Sequence, residues 1–311
     1  MSFLAVLLAL LLEQARPLLH DNWVHSALRG WSRWVRSNMD AGQAHHAWLV
    51  WILAVAAPAA LVAVVHVLLI RYSLILTFVW AVAVLYVTLG FRQFSHHFTD
   101  IRGALERGDA SAARTALANW KRVPFESIPP SEVLRLAIEH GVQGVHRHVL
   151  GVMVCFLAFW LLGLGPAGAV LFRLADYLFA SGQSVSSARA LPSTVSSDRV
   201  RDAALHAWQV INYIPARATA TAFAVVGNFE EAVANWRSVR ADPTATGDAV
   251  VLAAAAGALN LRIGKDWGAD ANPLARAPEL AHLASLVGLV WRSVVLWMLF
   301  LALVTLAHSV G

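Results

Sequence analysis

Four long stretches of this chain contain no Lys, Arg, Asp or Glu, and this feature limits its possible folds more than any other. The stretches are residues 41–70, 72–91, 148–172 and 293–311. A helix needs about 20 apolar residues to cross a hydrocarbon core about 30 Å thick. Only 14% of the 311 residues are charged, against roughly 25% in an average soluble domain. We therefore predict an all-α, polytopic membrane helix bundle, which excludes a soluble enzyme, a disordered protein and a small secreted scaffold.

Hydrophobic patterning predicts about five membrane spans. They cover residues 47–70, 73–91, 149–172, 205–229 and 283–307. We expect the third to be broken near its end by Gly163, Gly165, Pro166 and Gly168. Only Arg71 and Tyr72 separate the first two, which predicts a tight hairpin. The fourth span contains Asn212, Pro215 and Arg217 near its middle, so we expect it to be either kinked or re-entrant.

The distribution of basic residues predicts the topology. With the N-terminus inside, the inner segments of a five-span arrangement carry 17 Lys or Arg and the outer segments carry 5, in agreement with the positive-inside rule. We expect residues 1–311 to form one multi-pass domain in the inner membrane of a bacterial cell, with a cytoplasmic N-terminus and cytoplasmic helical loops. The net charge of +5 then reflects these loops, so the expected partner is the lipid bilayer and not nucleic acid. The sequence is also compatible with a homo-oligomer.

We predict one or two helices over residues 3–36. This segment begins with apolar residues, and tryptophans that alternate with arginines follow them. These residues are Trp23, Trp31 and Trp34, interleaved with Arg29, Arg33 and Arg36. The pattern is typical of an amphipathic helix that lies in the headgroup region of a membrane. A cytoplasmic cap packed on the bundle explains the pattern equally well.

The segment Asn212-Tyr-Ile-Pro-Ala-Arg217 is the main candidate for a ligand site. Its proline removes a helix hydrogen bond, and an arginine at membrane depth costs roughly 2.5–3.5 kcal/mol on insertion scales. Arg217 should therefore face an interior partner, and a guanidinium binds a carboxylate or phosphate in a bidentate fork. We predict an anionic small molecule, phosphate- or carboxylate-bearing, as its guest. The alternative is an arginine that reaches the membrane surface or that only orders the bundle; Arg292 in the last span follows the same logic.

Other polar residues near the spans are weaker candidates. Glu139, Arg173 and Asp176 are interface charges that an anionic ligand site could use, although Arg173 and Asp176 have the i,i+3 spacing of a simple ion pair. A metal site would need several convergent ligands, and the available ones are His96, Asp100, His146 and His148. Histidines at a membrane interface are more often plain polar residues, so we assign no metal and, from the residues alone, no cofactor.

Several blocks, taken in chain order, resemble the CobD/CbiB family. They are Asp109-Ala-Ser-Ala-Ala-Arg-Thr-Ala-Leu, Glu139, Leu164-Gly-Pro-Ala-Gly-Ala-Val-Leu-Phe-Arg173, Asn212-Tyr-Ile-Pro-Ala-Arg217 and Gly257-Ala-Leu. These are membrane proteins of late cobalamin biosynthesis, whose reaction joins cobyric acid to an aminopropanol (phosphate) group by ATP-dependent amide synthesis. Two further blocks, Leu11-Leu-Glu-Gln and Val225-Val-Gly-Asn-Phe-Glu-Glu-Ala, look equally like AmpE. AmpE is a related membrane protein associated with the amidase that recycles muropeptides and with β-lactamase induction.

The chain departs from the synthases of this family where they carry acids. After the glutamate that matches Glu139, the family has a second Glu, an Asn and an Asp, and here these positions are Gln143, Gly144 and Arg147. The family also has a pair of acidic residues before the block that matches Asn212-Tyr-Ile-Pro-Ala-Arg217, and here those two positions are Trp208 and Gln209. Because Mg²⁺ sites need carboxylates, the resemblance favours an AmpE-type ligand-binding or envelope-signalling protein that has largely lost the synthase acids. The alternative is a synthase-like amide ligase of cobalamin biosynthesis, which would require ATP and Mg²⁺.

Overall fold

The computed structural model describes residues 2–16, 23–39, 44–121, 128–187, 198–240, 242, 245–264 and 275–310. Over these residues the chain is helical, and the β-pairing between Leu261 and Arg276 is a single isolated bridge. The all-α prediction is therefore confirmed. The chain divides into two compact units, each made of two stretches of sequence: Met1–Leu89 with Gly151–Tyr213, and Gly90–Leu150 with Ile214–Gly311. The sequence prediction treated the same residues as one domain.

Three helices within the described residues are long and apolar enough to cross a membrane. They are His46–Tyr72, Pro130–Leu161 and Ala281–Ala307. The first and third cover the predicted spans 47–70 and 283–307. Shorter apolar helices are Ser2–Ala15, Leu74–Thr88 and Gly247–Leu259. Large apolar side chains such as Leu61, Ile75 and Leu303 are more than half exposed, as expected for surfaces in contact with lipid.

Unit 1 combines strongly apolar helices with amphipathic ones. Its helices are α1 (Ser2–Ala15), α2 (Trp23–Met39), α3 (Ala44–Trp51), α4 (Ala57–Tyr72), α5 (Leu74–Thr88), α9 (Gly151–Leu161), α10 (Ala167–Ser187) and α11 (Asp198–Ile211). A first π segment, Ile52–Ala56, joins α3 to α4. The predicted hairpin is present: α4 runs to Tyr72 and the next helix begins at Leu74. Ser73 makes this possible because its extended backbone ends α4 while its hydroxyl caps α5 by accepting from Leu76 N–H at 3.5 Å.

The predicted span 149–172 is not one helix. The apolar helix ends at Leu161 and α10 begins at Ala167. Gly163 and Gly165 between them have φ values of +76° and +59°, which L-residues with side chains rarely adopt. Gly165 also lies against the ring of His66, where a Cβ atom would come within 2.3 Å of a ring carbon. The candidate span therefore starts earlier in the sequence, at Pro130.

Unit 2 contains the helices that carry most of the polar candidates. They are α6 (Phe91–Glu106), α7 (Ala110–Lys121), α8 (Pro130–Val145), α12 (Tyr213–Val226), α13 (Phe229–Arg240), α14 (Gly247–Leu259) and α15 (Ala281–Val310), with a second π segment, His146–Leu150, after α8. Asp109 caps α7, since its Oδ1 accepts from Ala112 N–H at 2.9 Å. Gly257 lets α13 and α14 approach closely, because a Cβ atom there would lie 2.3 Å from the Glu231 carbonyl oxygen.

The predicted span 205–229 is also divided. One helix ends at Ile211 and the next begins at Tyr213, and neither belongs to the three helices long enough to cross a membrane. Pro215 lies in the first turn of α12, where its missing N–H is tolerated. The break predicted near the middle of this segment is therefore present, and it lies at Asn212. Crossing or re-entry of this segment stays a prediction.

Candidate functional site

Helix α8 carries three partly buried charged side chains on one face. Glu132, Arg135 and Glu139 are spaced by three and four residues, which places them one above another on a helix. Arg135 Nη1 lies 2.6 Å from Glu139 Oε1, and Arg135 Nε donates to Glu132 Oε2 at 2.9 Å. Arg135 is therefore held between two carboxylates of its own helix.

Glu139 has a second role in unit 2. Its Oε1 also accepts a hydrogen bond from the backbone N–H of Gly264 at 2.7 Å, and this glycine lies in the segment that follows α14. Lys121, at the end of α7, feels the same carboxylate: burial lowers the pKa of Lys121, and the charge of Glu139 opposes that shift. Glu139 thus connects α8 with the segment after α14, so its carboxylate is largely committed to the fold of the unit.

The second π segment turns two consecutive side chains toward different partners. His146 is buried, and its Nδ1 lies 2.9 Å from the hydroxyl oxygen of Thr219 on α12. Arg147 Nη2 donates to Asp248 Oδ2 on α14 at 2.5 Å, and both of these side chains are more than four-fifths buried. π segments are frequent at functional sites because they redirect side chains within a helix. Here the segment fastens α8 to α12 and α14.

The weak metal candidates do not converge in the described part of the chain. His148 Nδ1 is paired with the carbonyl oxygen of Gly144, 2.9 Å away in its own helix, whereas His146 faces α12. Asp100 is exposed on α6, and the side chain of His96 lies outside the described residues. Across the described residues no group of three or more His, Cys, Asp and Glu side chains is placed to hold a metal ion. Side chains two positions apart on a helix point in nearly opposite directions, so His146 and His148 face different partners.

The two arginines predicted from the spans have different environments. Arg217 is half-buried in the second turn of α12, next to buried Ala216 and two residues before buried Thr219. Arg292 is exposed on α15, and its Nε donates to the carbonyl oxygen of Gly288 in the same helix at 3.2 Å. Arg217 therefore has the more enclosed position of the two, as a ligand site would require.

The remaining candidates lie in unit 1. Arg173 Nη1 is 3.2 Å from Asp176 Oδ2 on α10, so these two residues form the i,i+3 pair that their spacing indicates. Asn212 is buried just after α11, and its backbone N–H donates to the Trp208 carbonyl oxygen at 2.8 Å. The Trp208 ring lies between Phe172 and Phe179 of α10, with ring centroids 5.1 and 5.5 Å away. Trp208 is thus part of an aromatic core.

Three residues that pair with the candidate residues, Arg135, Asp248 and Thr219, were not predicted from the sequence. Arg135 had a local signal, since acids stand three residues before it and four residues after it. Asp248 and Thr219 had none, because they lie 101 and 73 residues away from Arg147 and His146.

Three carboxylates of unit 2 do not fit a Mg²⁺ site. Mg²⁺ is held by carboxylate oxygens and water in an octahedron, whereas Glu132, Glu139 and Asp248 are each bonded to an arginine. A cation placed among them would have to displace a guanidinium from each carboxylate. Glu132, Glu139 and Asp248 are therefore committed to ion pairs and are not placed as Mg²⁺ ligands.

The fold and these sites define an all-helical membrane protein whose buried charges are organised in ion pairs. No family model matches the chain, and no solved structure matches it. Two relatives do match. The chain is 30% identical over 230 residues to a cobalamin biosynthesis protein CobD of Stutzerimonas stutzeri, covering 71% of both chains. It is 30% identical over 224 residues to the protein of the same name from Chromobacterium violaceum, covering 70% of this chain and 67% of the relative. The chain belongs to the CobD/CbiB family.

Proposed function

We propose that this CobD/CbiB-family protein binds a phosphate- or carboxylate-bearing small molecule through Arg217 at the membrane, in envelope sensing or signalling of the AmpE type. In this proposal it does not carry out the family's amide synthesis. One observation carries the second part: Arg147 stands where the synthases have an aspartate, and it is neutralised by Asp248.

The Arg147–Asp248 pair bears on catalysis through its charge. Where the resemblance leads one to expect an aspartate that could help to hold Mg²⁺, this chain has the Arg147 guanidinium, and that guanidinium is bonded to Asp248. Trp208 supports the same conclusion, because its ring is 3% exposed and packed between phenylalanines instead of offering a carboxylate. At two separate positions where the resemblance leads one to expect acids, Arg147 and Trp208 instead make contacts within the protein.

Arg217 supports the binding part of the proposal. It is half-buried on α12, and a guanidinium has the planar fork that binds an oxyanion in a bidentate way. Lysine keeps the charge but loses the bidentate geometry. The site therefore predicts a ligand with a planar carboxylate or a phosphate.

Complementation tests the loss of synthase chemistry. A bacterial strain that lacks its own CobD/CbiB synthase, and that grows when cobinamide is supplied, would receive either this protein or the S. stutzeri relative. We expect the relative to restore growth without cobinamide, and this protein to be present in membranes, by immunoblot, without restoring growth. Growth supported by this protein would contradict the proposal.

A second function, amide synthesis in cobalamin assembly, is favoured by one specific observation. Both relatives are named cobalamin biosynthesis proteins and match across about 70% of this chain. The complementation experiment decides between the two functions, because restored growth is the outcome that only the synthase produces.

Ligand binding is measured separately on purified protein in lipid nanodiscs. Cobyric acid, which bears a carboxylate, and inorganic phosphate serve as probes in isothermal titration. We expect Arg217→Lys to weaken binding about tenfold or more, since a charged hydrogen bond contributes about 1.5–3 kcal/mol, while Arg276→Lys, at an exposed arginine, leaves binding unchanged. Equal affinity of the two variants would make Arg217 a structural residue.

A further inference from the structure

Helix α2 has three different flanks. At about 100° per residue, Leu28, Ser32 and Val35 form one stripe, and the last two are 1% exposed. Trp31 and Trp34 form a second flank, where they are 39% and 52% exposed and their rings stack with centroids 5.4 Å apart. The helix therefore packs on unit 1 with its first stripe and presents two tryptophans beside it.

The third flank is basic. By helical register, the positions of Arg29, Arg33 and Arg36 lie within about 60° of one another, on the side of the packed stripe away from the tryptophans. The helix contains no Asp or Glu. A helix with one buried stripe, one aromatic flank and one cationic flank suits the edge of a membrane protein at the bilayer surface.

A hydrogen bond attaches α2 to the first candidate span. In the first π segment the N–H of Ala57 donates to the carbonyl oxygen of Ile52, five residues back. The next donor in that register would be Pro58, which has no N–H, so the carbonyl of Leu53 lacks this intrahelical partner. Trp31 Nε1 donates to that oxygen at 3.2 Å. The indole thus supplies the hydrogen bond that the proline removes.

This bond also sets the depth of α2. The span His46–Tyr72 has 27 residues and is about 40 Å long at 1.5 Å per residue, about 5 Å longer at each end than a 30 Å hydrocarbon core. Leu53 is seven residues from His46, about 10 Å along the helix. With this span centred in the bilayer, Trp31 is expected about 5 Å inside the hydrocarbon boundary, within the depth of about 5–10 Å to which interfacial helices bury their apolar face.

We propose that α2 is an interfacial helix that binds anionic phospholipid headgroups through Arg29, Arg33 and Arg36, with Trp31 and Trp34 anchored in the upper hydrocarbon layer. Each arginine near an anionic leaflet contributes about fivefold to lipid preference, the equivalent of about 1 kcal/mol. The occupant of the basic flank is thus a phosphate-bearing lipid surface. This inference is independent of the Arg217 site.

Spin-label accessibility tests the orientation of α2. In a Cys155→Ala background, Ala27→Cys places a label on the tryptophan flank and Ser26→Cys places one on the opposite side, next to the basic flank. The full chain is reconstituted in vesicles of phosphatidylcholine and phosphatidylglycerol at 3:1. We expect the label at residue 27 to be accessible to oxygen, and the label at residue 26 to be accessible to a water-soluble nickel complex. The proposal would be overturned if both labels were equally exposed to the nickel complex. It would also be overturned if a protein, and not lipid, covered this helix.

Lipid retention tests the basic flank. Native mass spectrometry of protein extracted from the same vesicles measures the ratio of bound phosphatidylglycerol to phosphatidylcholine. We expect Arg33→Gln to lower this ratio about fivefold, and replacement of all three arginines to lower it further. Arg237→Gln, at an exposed arginine of α13, is the matched control and should leave the ratio unchanged. An unchanged ratio in the triple variant, or an equal fall in the control, would overturn the proposal.

Discussion

The ion pair between Arg147 and Asp248 provides the sharpest test of how unit 2 is held together. Asp248→Asn keeps the shape of the side chain but removes its charge, so the Arg147 guanidinium is left without a counter-ion where only 19% of its side chain is exposed. Breaking a buried pair by removing one partner costs about 3–5 kcal/mol. Because Arg147 keeps some contact with solvent, we expect a loss near the lower end, about 3 kcal/mol of unfolding free energy.

The measurement is a double-mutant cycle. Unfolding free energies are taken from equilibrium SDS titration in mixed micelles for the wild type, Asp248→Asn, Arg147→Met and the double variant. Since the double variant contains no unpaired buried charge, it should lose less than the two single losses added together, with a coupling energy of about 2 kcal/mol.

The exposed pair Arg102–Glu106 of α6 is a matched control with a similar separation of 2.7 Å. Nearly half of each of its side chains is exposed, and such helix pairs contribute only about 0.3–0.5 kcal/mol. Glu106→Gln should therefore change stability by less than about 0.5 kcal/mol. A coupling energy for Arg147 and Asp248 as small as that of the control would refute the argument that this pair is a buried contact.

Two further substitutions test other contacts. Thr219→Val removes the hydroxyl that pairs with buried His146 and should cost about 1–3 kcal/mol in the same titration, whereas Thr221→Val, whose exposed hydroxyl bonds only to its own helix, should have little effect; equal losses would contradict a special role for the histidine contact. Gly165→Ala should destabilise more than Gly163→Ala, since both have positive φ but only the former would meet a ring, that of His66; melting temperatures in detergent measure the difference, and equal shifts would exclude the steric explanation.

Local features of the fold could be predicted because their cause is local. Ser73 ends one helix and caps the next, and Asp109 caps α7; both roles depend on residues within four positions in the sequence. The same reasoning placed a break near Asn212 and Pro215 in the segment 205–229. In 149–172 it marked the break near the end of the run, where the positive φ values of Gly163 and Gly165 separate two helices, but it placed the start of the membrane-length helix at residue 149 instead of Pro130.

The candidate site could be predicted only in part, and Glu139 and His146 show why. Their type and helical position indicated polar residues that matter, but the partners that define their roles, Gly264 and Thr219, lie 125 and 73 residues away. No periodicity within a single helix reports such a pairing. The ligand role of Arg217 stays a prediction, tested by the binding experiment above.

Charge-free apolar runs and helix-ending residues determined, without any structure, that this chain is a helical membrane protein, because membrane insertion and helix capping depend on consecutive residues. Tertiary structure alone decided which buried charges neutralise each other, as with Arg147 and Asp248. The physical reason is distance: a poorly hydrated charge needs a counter-charge within a few ångströms in space, and folding can bring that partner from any position in the sequence.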